Sequence, residues 1–546
     1  MTQRQNKFEG GDVLVQALKA LGVKEIFSVS GGPLNSIYRA CAAHDLSLRH
    51  TRHEAAACFM ADAMARTTGV PGVAAVTLGP GVTNAVTPAL VARMAGVPVL
   101  VIGAQANTRS FDRGAGMSAD HIPIMTPVTK WSARVLQTER ISEYLDIAWR
   151  RMWAGRPGPV FLEIPVDVLS APASPVPPPS FARRLPGLES REIAALRTAI
   201  AAARRPLLLL GDDVRWDPPA DLRATVERLS WPFATLRLAR GAIDEHHPLW
   251  IGPGYTPCNA TLRRALGEAD TVILLGHHFE FDLEFGAGVS PATKVIQVVG
   301  DPELLGRNRA ADLGFLAGPG AFVAALADIP AGPVEKGWIE KLTRGWAEEW
   351  RAQLGPVGAN QVLHPVAAVD AVVAAMPADT RFVSSHGNVD FWADARIRVR
   401  SPDLYLRAGQ SGSLGAEIPY GLGARFAFPK RPVVVFVGDG GVGYHVTEIE
   451  TAARYNRPII VVVLDDQKWG AIALPQRLAY GEEYEMALPQ RDWGKVAEGL
   501  GGIGFFARTP EEIGAALRSA LAANRPAVIQ IPVGSVISPY MAFISK

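Results

Sequence analysis

The chain has 546 residues, 48% hydrophobic and 20% charged, with a formal net charge of +2. At about 150 residues per domain this length implies three or four domains, and the near-neutral balance argues against nucleic acid or an anionic membrane surface as a partner. Three cysteines, Cys41, Cys58 and Cys258, stand far apart with no CxxC spacing, so neither a disulfide framework nor a zinc cluster is indicated. The opening MTQRQNKFEGGD lacks the apolar stretch of a signal peptide, and the apolar runs fall well short of the ~20 residues of a membrane helix. The expectation is a cytoplasmic protein.

In chain order, short apolar runs alternate with helical segments: EIFSVS, VAAVTLGPG and VPVLVIGA first, then PLLLLGDD, TVILLGHH and KVIQVVGD, then RFVSSHGN, VVVFVGDG and IIVVVLDD. Strands that are apolar throughout and alternate with helices predict parallel sheets covered on both faces. The fold class expected is therefore α/β, with three doubly wound parallel-sheet domains. The proline-rich run LSAPASPVPPPSFARRLPG (169–187) suits neither a helix nor a central strand and reads as a linker. A second boundary falls at 330–360, around the tryptophan-bearing EKGWIEKLTRGWAEEWRAQL and the loop GPVGANQVLHP. The domains expected are 1–170, 190–335 and 360–546.

In the third block, the run Val433–Val437 leads into Gly438-x-Gly440-x-x-Gly443 and, one helix later, a second strand ending in Asp465-Asp466. That satisfies the GxGxxG pattern of a dinucleotide site, and an NAD-dependent oxidoreductase is one reading of it. Asp439, between the first two glycines, opposes that reading. A carboxylate there faces the phosphates, and two unit charges at ~4 Å repel by about 4 kcal/mol at an effective dielectric near 20. A divalent cation resolves the conflict, because Mg²⁺ is held by one or two carboxylates together with substrate phosphates. Asp439 is one candidate ligand and the Asp465-Asp466 pair, at the end of the next strand, supplies another; a helix cap beside ordinary strand-end acids is the plainer alternative.

GDG followed by 25 to 30 residues and an NN-like pair resembles the signature of thiamine diphosphate enzymes, with Asp-Asp here in place of Asn-Asn. The resemblance implies that Asp439, Asp466 and the carbonyl of Lys468 hold Mg²⁺ on the cofactor's diphosphate, with Gly438, Gly440 and Gly441 forming the turn. It extends along most of the chain. Arg52-His53-Glu54-Ala55-Ala56-Ala57 resembles the RHE-x-A-A element of the acetohydroxyacid synthase and benzaldehyde lyase group, whose Glu drives the aminopyrimidine to its imino tautomer, so Glu54 is the first catalytic candidate. Gly79-Pro80-Gly81-Val82-Thr83-Asn84 is similar to the family's pyrimidine-pocket loop, which brings in Pro80 and Asn84. Pro127-Val128-Thr129-Lys130-Trp131 and GRPGPVFLEIPVDV (155–168) match further elements of the first domain. Gly409-Gln410-Ser411-Gly412-Ser413-Leu414-Gly415 resembles the segment under the cofactor, with the Gly412 carbonyl accepting from the 4'-amino group, Ser413 beside it and Leu414 forcing the V-shaped conformation. Asn388 matches a diphosphate-contacting loop less specifically.

In this family the pyrimidine-binding (PYR), central and diphosphate-binding (PP) domains follow one another, and the site lies between subunits, so a homodimer or homotetramer is implied. The chemistry implied is a carboligase or lyase of the acetolactate synthase type, making or breaking a carbon–carbon bond beside a carbonyl through a C2 enamine. A 2-hydroxyacyl-CoA lyase is the alternative, and a non-catalytic cofactor-binding descendant a third. Ser30, Gly116 and Val166 replace pocket residues of relatives, so the small-molecule substrate is expected to differ from benzoin. His121, His386, Asp390 and Trp469 are candidates for new roles, His121 and Trp469 being taken as catalytic with Glu54. In the central block Gly211-Asp212-Asp213 and His277-His278-Phe279-Glu280-Phe281-Asp282 replace the glycine cluster and arginine run that accompany FAD, which disfavours flavin and leaves ADP or CoA open. Only about fifteen residues follow the last strand VIQIPV, which weakens the CoA reading.

Overall fold

The computed structural model describes residues 8–352, 362–384 and 386–544. It contains three six-stranded sheets, parallel throughout, with helices between successive strands. The first holds β1 (Glu25–Ser28), β2 (Ser47–His50), β3 (Gly72–Val76), β4 (Val99–Gln105), β5 (Trp131–Arg134) and β6 (Val160–Pro165), ordered β2-β1-β3-β4-β6-β5. The second holds β7 (Pro206–Leu210), β8 (Phe233–Thr235), β9 (Trp250–Pro253), β10 (Thr271–Leu275), β11 (Lys294–Val299) and β12 (Leu313–Leu316), ordered β12-β11-β10-β7-β8-β9. The third holds β13 (Arg381–Ser384), β14 (Tyr405–Arg407), β15 (Val433–Gly438), β16 (Ile460–Asp465), β17 (Ile503–Phe506) and β18 (Ala527–Pro532), ordered β14-β13-β15-β16-β18-β17. The three-sheet α/β expectation is met. Central strands such as β3, β4, β7 and β10 are buried along their whole length, as strands covered on both faces must be.

Outer sheets share one strand order, whereas the middle sheet follows the order of dinucleotide-binding folds, reversing direction between β7 and β10. The glycine fingerprint therefore lies in a sheet of the other kind. Its helical turn, Asp439–Val442, is four residues long and is followed by a separate helix, Glu448–Arg454.

The tryptophan-bearing segment forms a helix, Lys336–Ala352, whose Trp338, Ile339, Leu342 and Trp346 are buried with the side chains of the middle sheet. The central unit thus runs past the expected limit at 335 to at least Ala352, because this helix covers β9 rather than linking domains. Most of the loop expected to follow, 353–361, lies outside the described residues. Among them no helix is long and apolar enough to cross a membrane.

Two outer domains meet through the helices Glu54–Thr68 and Glu417–Ala427, whose apolar faces share one core. At its centre the fully buried Arg66 pairs with Asp62, and Tyr420 donates to the same carboxylate at 2.6 Å. Nearby, Glu448 is fully buried and accepts from the backbone N–H of Arg52 (2.9 Å) and from Thr451 (2.7 Å), yet burial pushes its carboxyl up to about 7 from 4.5. A carboxyl raised in the folded state favours the fold when protonated, so its contribution declines as pH rises from about 4.5 through 7. Glu448→Gln keeps one acceptor oxygen for the Arg52 N–H and turns its NH₂ to the Thr451 hydroxyl, which can accept, and the expected result is a flatter stability profile between pH 5 and 8, gaining up to about 3 kcal/mol at the alkaline end. Thermal melts of both proteins across that range check it; parallel profiles would contradict it.

Candidate active site

A cavity of about 580 Å³, walled mainly by apolar atoms, lies near the C-terminal ends of the third sheet's strands. Gly438, Asp439, Gly440 and Gly441 enter it from β15, Asp466, Lys468 and Trp469 from β16, and Gly412 and Leu414 from the segment after β14. Parallel pairing of Gly438 with Leu464 sets the two strand ends side by side and brings the glycine turn and the acid pair to one edge.

The two aspartates of the pair have separate fates. Asp465 is buried and turned into the domain, accepting from Gln530 Nε2 (2.7 Å) and from the Gln467 N–H (3.2 Å). Asp466 faces the cavity, with Ser535 donating to it at 3.3 Å. Asp439 is buried, and its Oδ1 has no hydrogen-bond partner. Burial and then the charges of Asp466 and Asp465 push Asp439 up to about 8, and burial raises Asp466 to about 6. Facing carboxylates, one with an orphaned oxygen, make a donor set suited to a hard divalent cation. Lys468 turns its ammonium to Glu483 (3.0 and 3.2 Å), so any bond it makes to a cation comes from its carbonyl. Gln467, immediately before it, takes a left-handed conformation at φ +55° that redirects the chain there.

Trp469 explains one glycine. A Cβ on Gly440 would stand 2.6 Å from its indole ring, so the ring packs directly on the turn. The ring walls the cavity, and its indole N–H can donate a hydrogen bond but cannot take up a proton. Asn388 differs from expectation: its Nδ2 donates to the Val536 carbonyl (2.5 Å) and its Oδ1 accepts from the Ser538 N–H (2.7 Å). That side chain ties down the C-terminal segment, with one amide hydrogen beyond this contact. Ser413 is not part of the cavity wall; its hydroxyl donates to the Leu414 carbonyl at 3.3 Å.

Family models agree with this geometry. The thiamine pyrophosphate enzyme N-terminal TPP binding domain matches residues 8–124, the central domain 193–326 and the C-terminal TPP binding domain 385–531. Over 91% of its length the chain is 30% identical to 2-hydroxyacyl-CoA lyase 2 of Bos taurus, covering 85% of that protein. It is 31% identical to 2-hydroxyacyl-CoA lyase 2 of Caenorhabditis elegans, covering 92% of this chain and 84% of that one. It is 29% identical to the acetolactate synthase large subunit IlvG of Mycobacterium tuberculosis, over 95% of each. The chain belongs to the thiamine pyrophosphate enzyme family. The oxidoreductase reading of the glycine pattern falls with that result.

A thiamine pyrophosphate enzyme also needs its pyrimidine half, and one chain does not bring the two halves together. The cavity takes Met94 from the N-terminal domain, but not Glu54, Pro80 or Asn84. Those three sit together elsewhere: Asn84 Nδ2 donates to Glu54 Oε2 at 2.9 Å, and the helix Pro80–Asn84 starts at the exposed Pro80. Glu54 is half-buried at the start of its helix. Leu90 and Met94 stand exposed on the neighbouring helix Val86–Ala95, an apolar edge beside an incomplete site.

His121 is fully buried behind this half-site. Its Nε2 accepts from the Gly79 N–H (2.9 Å) and its Nδ1 meets Glu163 at 2.6 Å. Gln105 donates to the same Glu163 oxygen (2.8 Å), and Arg134 binds the other. With both ring nitrogens engaged and the ring outside the cavity wall, His121 is a positioning residue rather than the catalytic group expected. It clamps Gly79 at φ +61°, where a Cβ would lie 2.5 Å from the Met117 carbonyl. Glu163 escaped notice in the sequence, although a lone acid inside the buried strand VFLEIP is the signal of such a pair.

Sequence reasoning also missed the aromatic wall. Phe391 stacks on Tyr540 at 4.0 Å, and Tyr255 and Phe281 approach Tyr540 at 5.9 and 6.3 Å. Tyr540 belongs to the C-terminal helix Pro539–Ile544, which is brought against the central domain. Arg407 lies among them, donating to Tyr255 and 4.0 Å from Asp394. Of the two remaining candidates, His386 and Asp390 both line the cavity, and burial followed by the Arg407 charge pushes His386 down to about 3, so it is neutral.

Proposed function

We propose that this chain, as a homodimer or a dimer of dimers, makes or breaks a carbon–carbon bond beside a carbonyl, with thiamine diphosphate and Mg²⁺ held between subunits. The observation that carries the reading is the pair Asp439 and Asp466 facing one cavity, one with an orphaned buried oxygen, in a chain whose three domains match the family. Asp439, Asp466 and the Lys468 carbonyl hold the metal, and the turn Gly438–Gly441 offers backbone N–H groups to the diphosphate. Gly412 and Leu414, which line the cavity, would support the cofactor. When bound, the cofactor supplies the nucleophilic carbon that carries the acyl fragment. Glu54 from the partner subunit exchanges a proton with the aminopyrimidine, oriented by Asn84, while Pro80 and His121 fix the loop around it.

The aromatic wall of Phe281, Phe391, Tyr255 and Tyr540 favours a carbonyl substrate with an apolar or aromatic substituent, and Arg407 suits a carboxylate beside the reacting carbon. The lyase reading on 2-hydroxyacyl-CoA thioesters is kept because proteins of that name are among the relatives. Purified protein given thiamine diphosphate and Mg²⁺ is to be offered 2-oxo acids with aldehydes, benzoin, and formyl-CoA with aldehydes. Cofactor-dependent products from the first supply the expected result. Turnover confined to CoA thioesters would favour the second reading, and no product from any of them would overturn both.

A further inference from the structure

Beyond the thiamine site, the middle sheet holds a second cluster of metal-ligating side chains. It lies where the strand order reverses, at the C-terminal ends of β7 and β10, the crevice in which open α/β sheets accept ligands. His277 and His278 follow β10 after Gly276, which turns the chain at φ +73°. They converge on Glu280, with Nε2 of His277 3.2 Å from Oε1 and Nε2 of His278 3.6 Å from Oε2. Taking one ligand atom from each residue, the three lie within 4.8 Å of one another. In a tetrahedral site with bonds of about 2.0–2.1 Å, ligand atoms stand roughly 3.3 Å apart, close to both contacts.

Hydrogen bonding alone does not account for the arrangement. His277 is 2% exposed, and its Nε2 has no hydrogen-bond partner although a carboxylate oxygen is 3.2 Å away. Charge around the crevice is compatible with a cation. Asp212, Asp213, Glu280 and Asp282 face Arg237 and Arg156, with Arg237 contacting Asp212 (3.1 Å), Glu280 and Asp282 (3.4 Å), and Arg156 contacting Asp212 (3.2 Å). Arg183 and Arg307 lie farther out. Three carboxylates are in direct contact with the two guanidinium groups, and Asp213 stands beside them.

We propose that His277, His278 and Glu280 bind a divalent transition ion of borderline softness, such as Zn²⁺ or Co²⁺, at a site separate from the Mg²⁺ of the cofactor. Two imidazoles and one carboxylate select such an ion over Mg²⁺, which takes oxygen ligands, and leave a fourth position open. The same loop continues into Phe281 and Asp282, which line the substrate cavity, so an ion here pins the base of one cavity wall.

The test uses full-length protein loaded with thiamine diphosphate and a large excess of Mg²⁺, titrated with Co²⁺ and followed by equilibrium dialysis and visible absorption. The expected result is one Co²⁺ per chain with the intense bands of a four-coordinate ion. Glu280→Gln and His278→Ala are expected to weaken binding at least tenfold while cofactor affinity is unchanged. X-ray absorption at the cobalt edge of the unaltered protein is expected to contain imidazole scattering, and it decides the matter if a variant fails to fold. Absence of stoichiometric Co²⁺, equal affinity in both variants, or an all-oxygen ligand shell would each overturn the proposal.

Discussion

Glu54→Gln is expected to lower turnover by about 10²–10⁴-fold, the range that a positioned proton-transfer group contributes, with little change in cofactor affinity. Glutamine can still accept from Asn84 Nδ2, which now donates to Glu54 at 2.9 Å, so the loop and the fold are preserved. Near-unaltered turnover with any accepted substrate would sink the proposed role. A sharper result follows from mixing subunits. In a twofold dimer each site takes Glu54 from one chain and Asp439 from the other. Glu54→Gln and Asp439→Asn chains, each inactive alone, then form mixed dimers with one intact site. Random pairing is expected to restore about a quarter of the sites. Were both residues drawn from the same chain, mixing would restore nothing.

Asp439→Asn is expected to move stability and function in opposite directions. The carboxyl is held near 8 by burial and by its neighbouring acids, so folding without the metal forces it to take up a proton or accept the repulsion. An amide removes that conflict, and the metal-free protein is expected to melt higher, most of all above pH 8 where the carboxylate is charged. Loaded protein is expected to lose at least a hundredfold in Mg²⁺-dependent cofactor affinity, and with it the rise in melting temperature that cofactor and Mg²⁺ give the unaltered chain. EDTA is expected to reproduce the functional loss alone. Calorimetric titration and melting curves check both; an amide variant that melts lower and binds as before would refute the assignment.

The sequence made the scaffold legible wherever one chemical pressure dominates. Fully apolar strands can lie only in sheets covered on both sides, so the three sheets could be read from their apolar runs, whereas edge strands such as β2 and β5 could not. Asp439 could be read because a charge between glycines demands an explanation at any depth. Within the 330–360 boundary, the limit at 335 fell short of the closing helix because a helix with tryptophans on one face looks the same whether it joins domains or closes one; only the packing of Trp338 and Trp346 on the middle sheet distinguishes the two. His121 was misassigned for a related reason. A histidine's role depends on what meets both nitrogens, and its partners Gly79 and Glu163 lie 42 residues away on either side. The aromatic wall was illegible, since Tyr540 and Phe391 become neighbours only when the C-terminal helix is laid against the cavity.

The shared strand order of the outer sheets has a historical consequence. The turn carrying Gly79 and the turn carrying Gly438 each follow the strand at the same place in their sheets, β3 in one and β15 in the other. Two domains with the same wiring, each with a glycine-led helical turn after the strand at the same place, are what duplication of one ancestral unit leaves behind. In such an ancestor, two identical copies could have clasped a ligand symmetrically, and the present asymmetry would need few changes: an acid gained in one turn, and another at the head of the helix beside its counterpart.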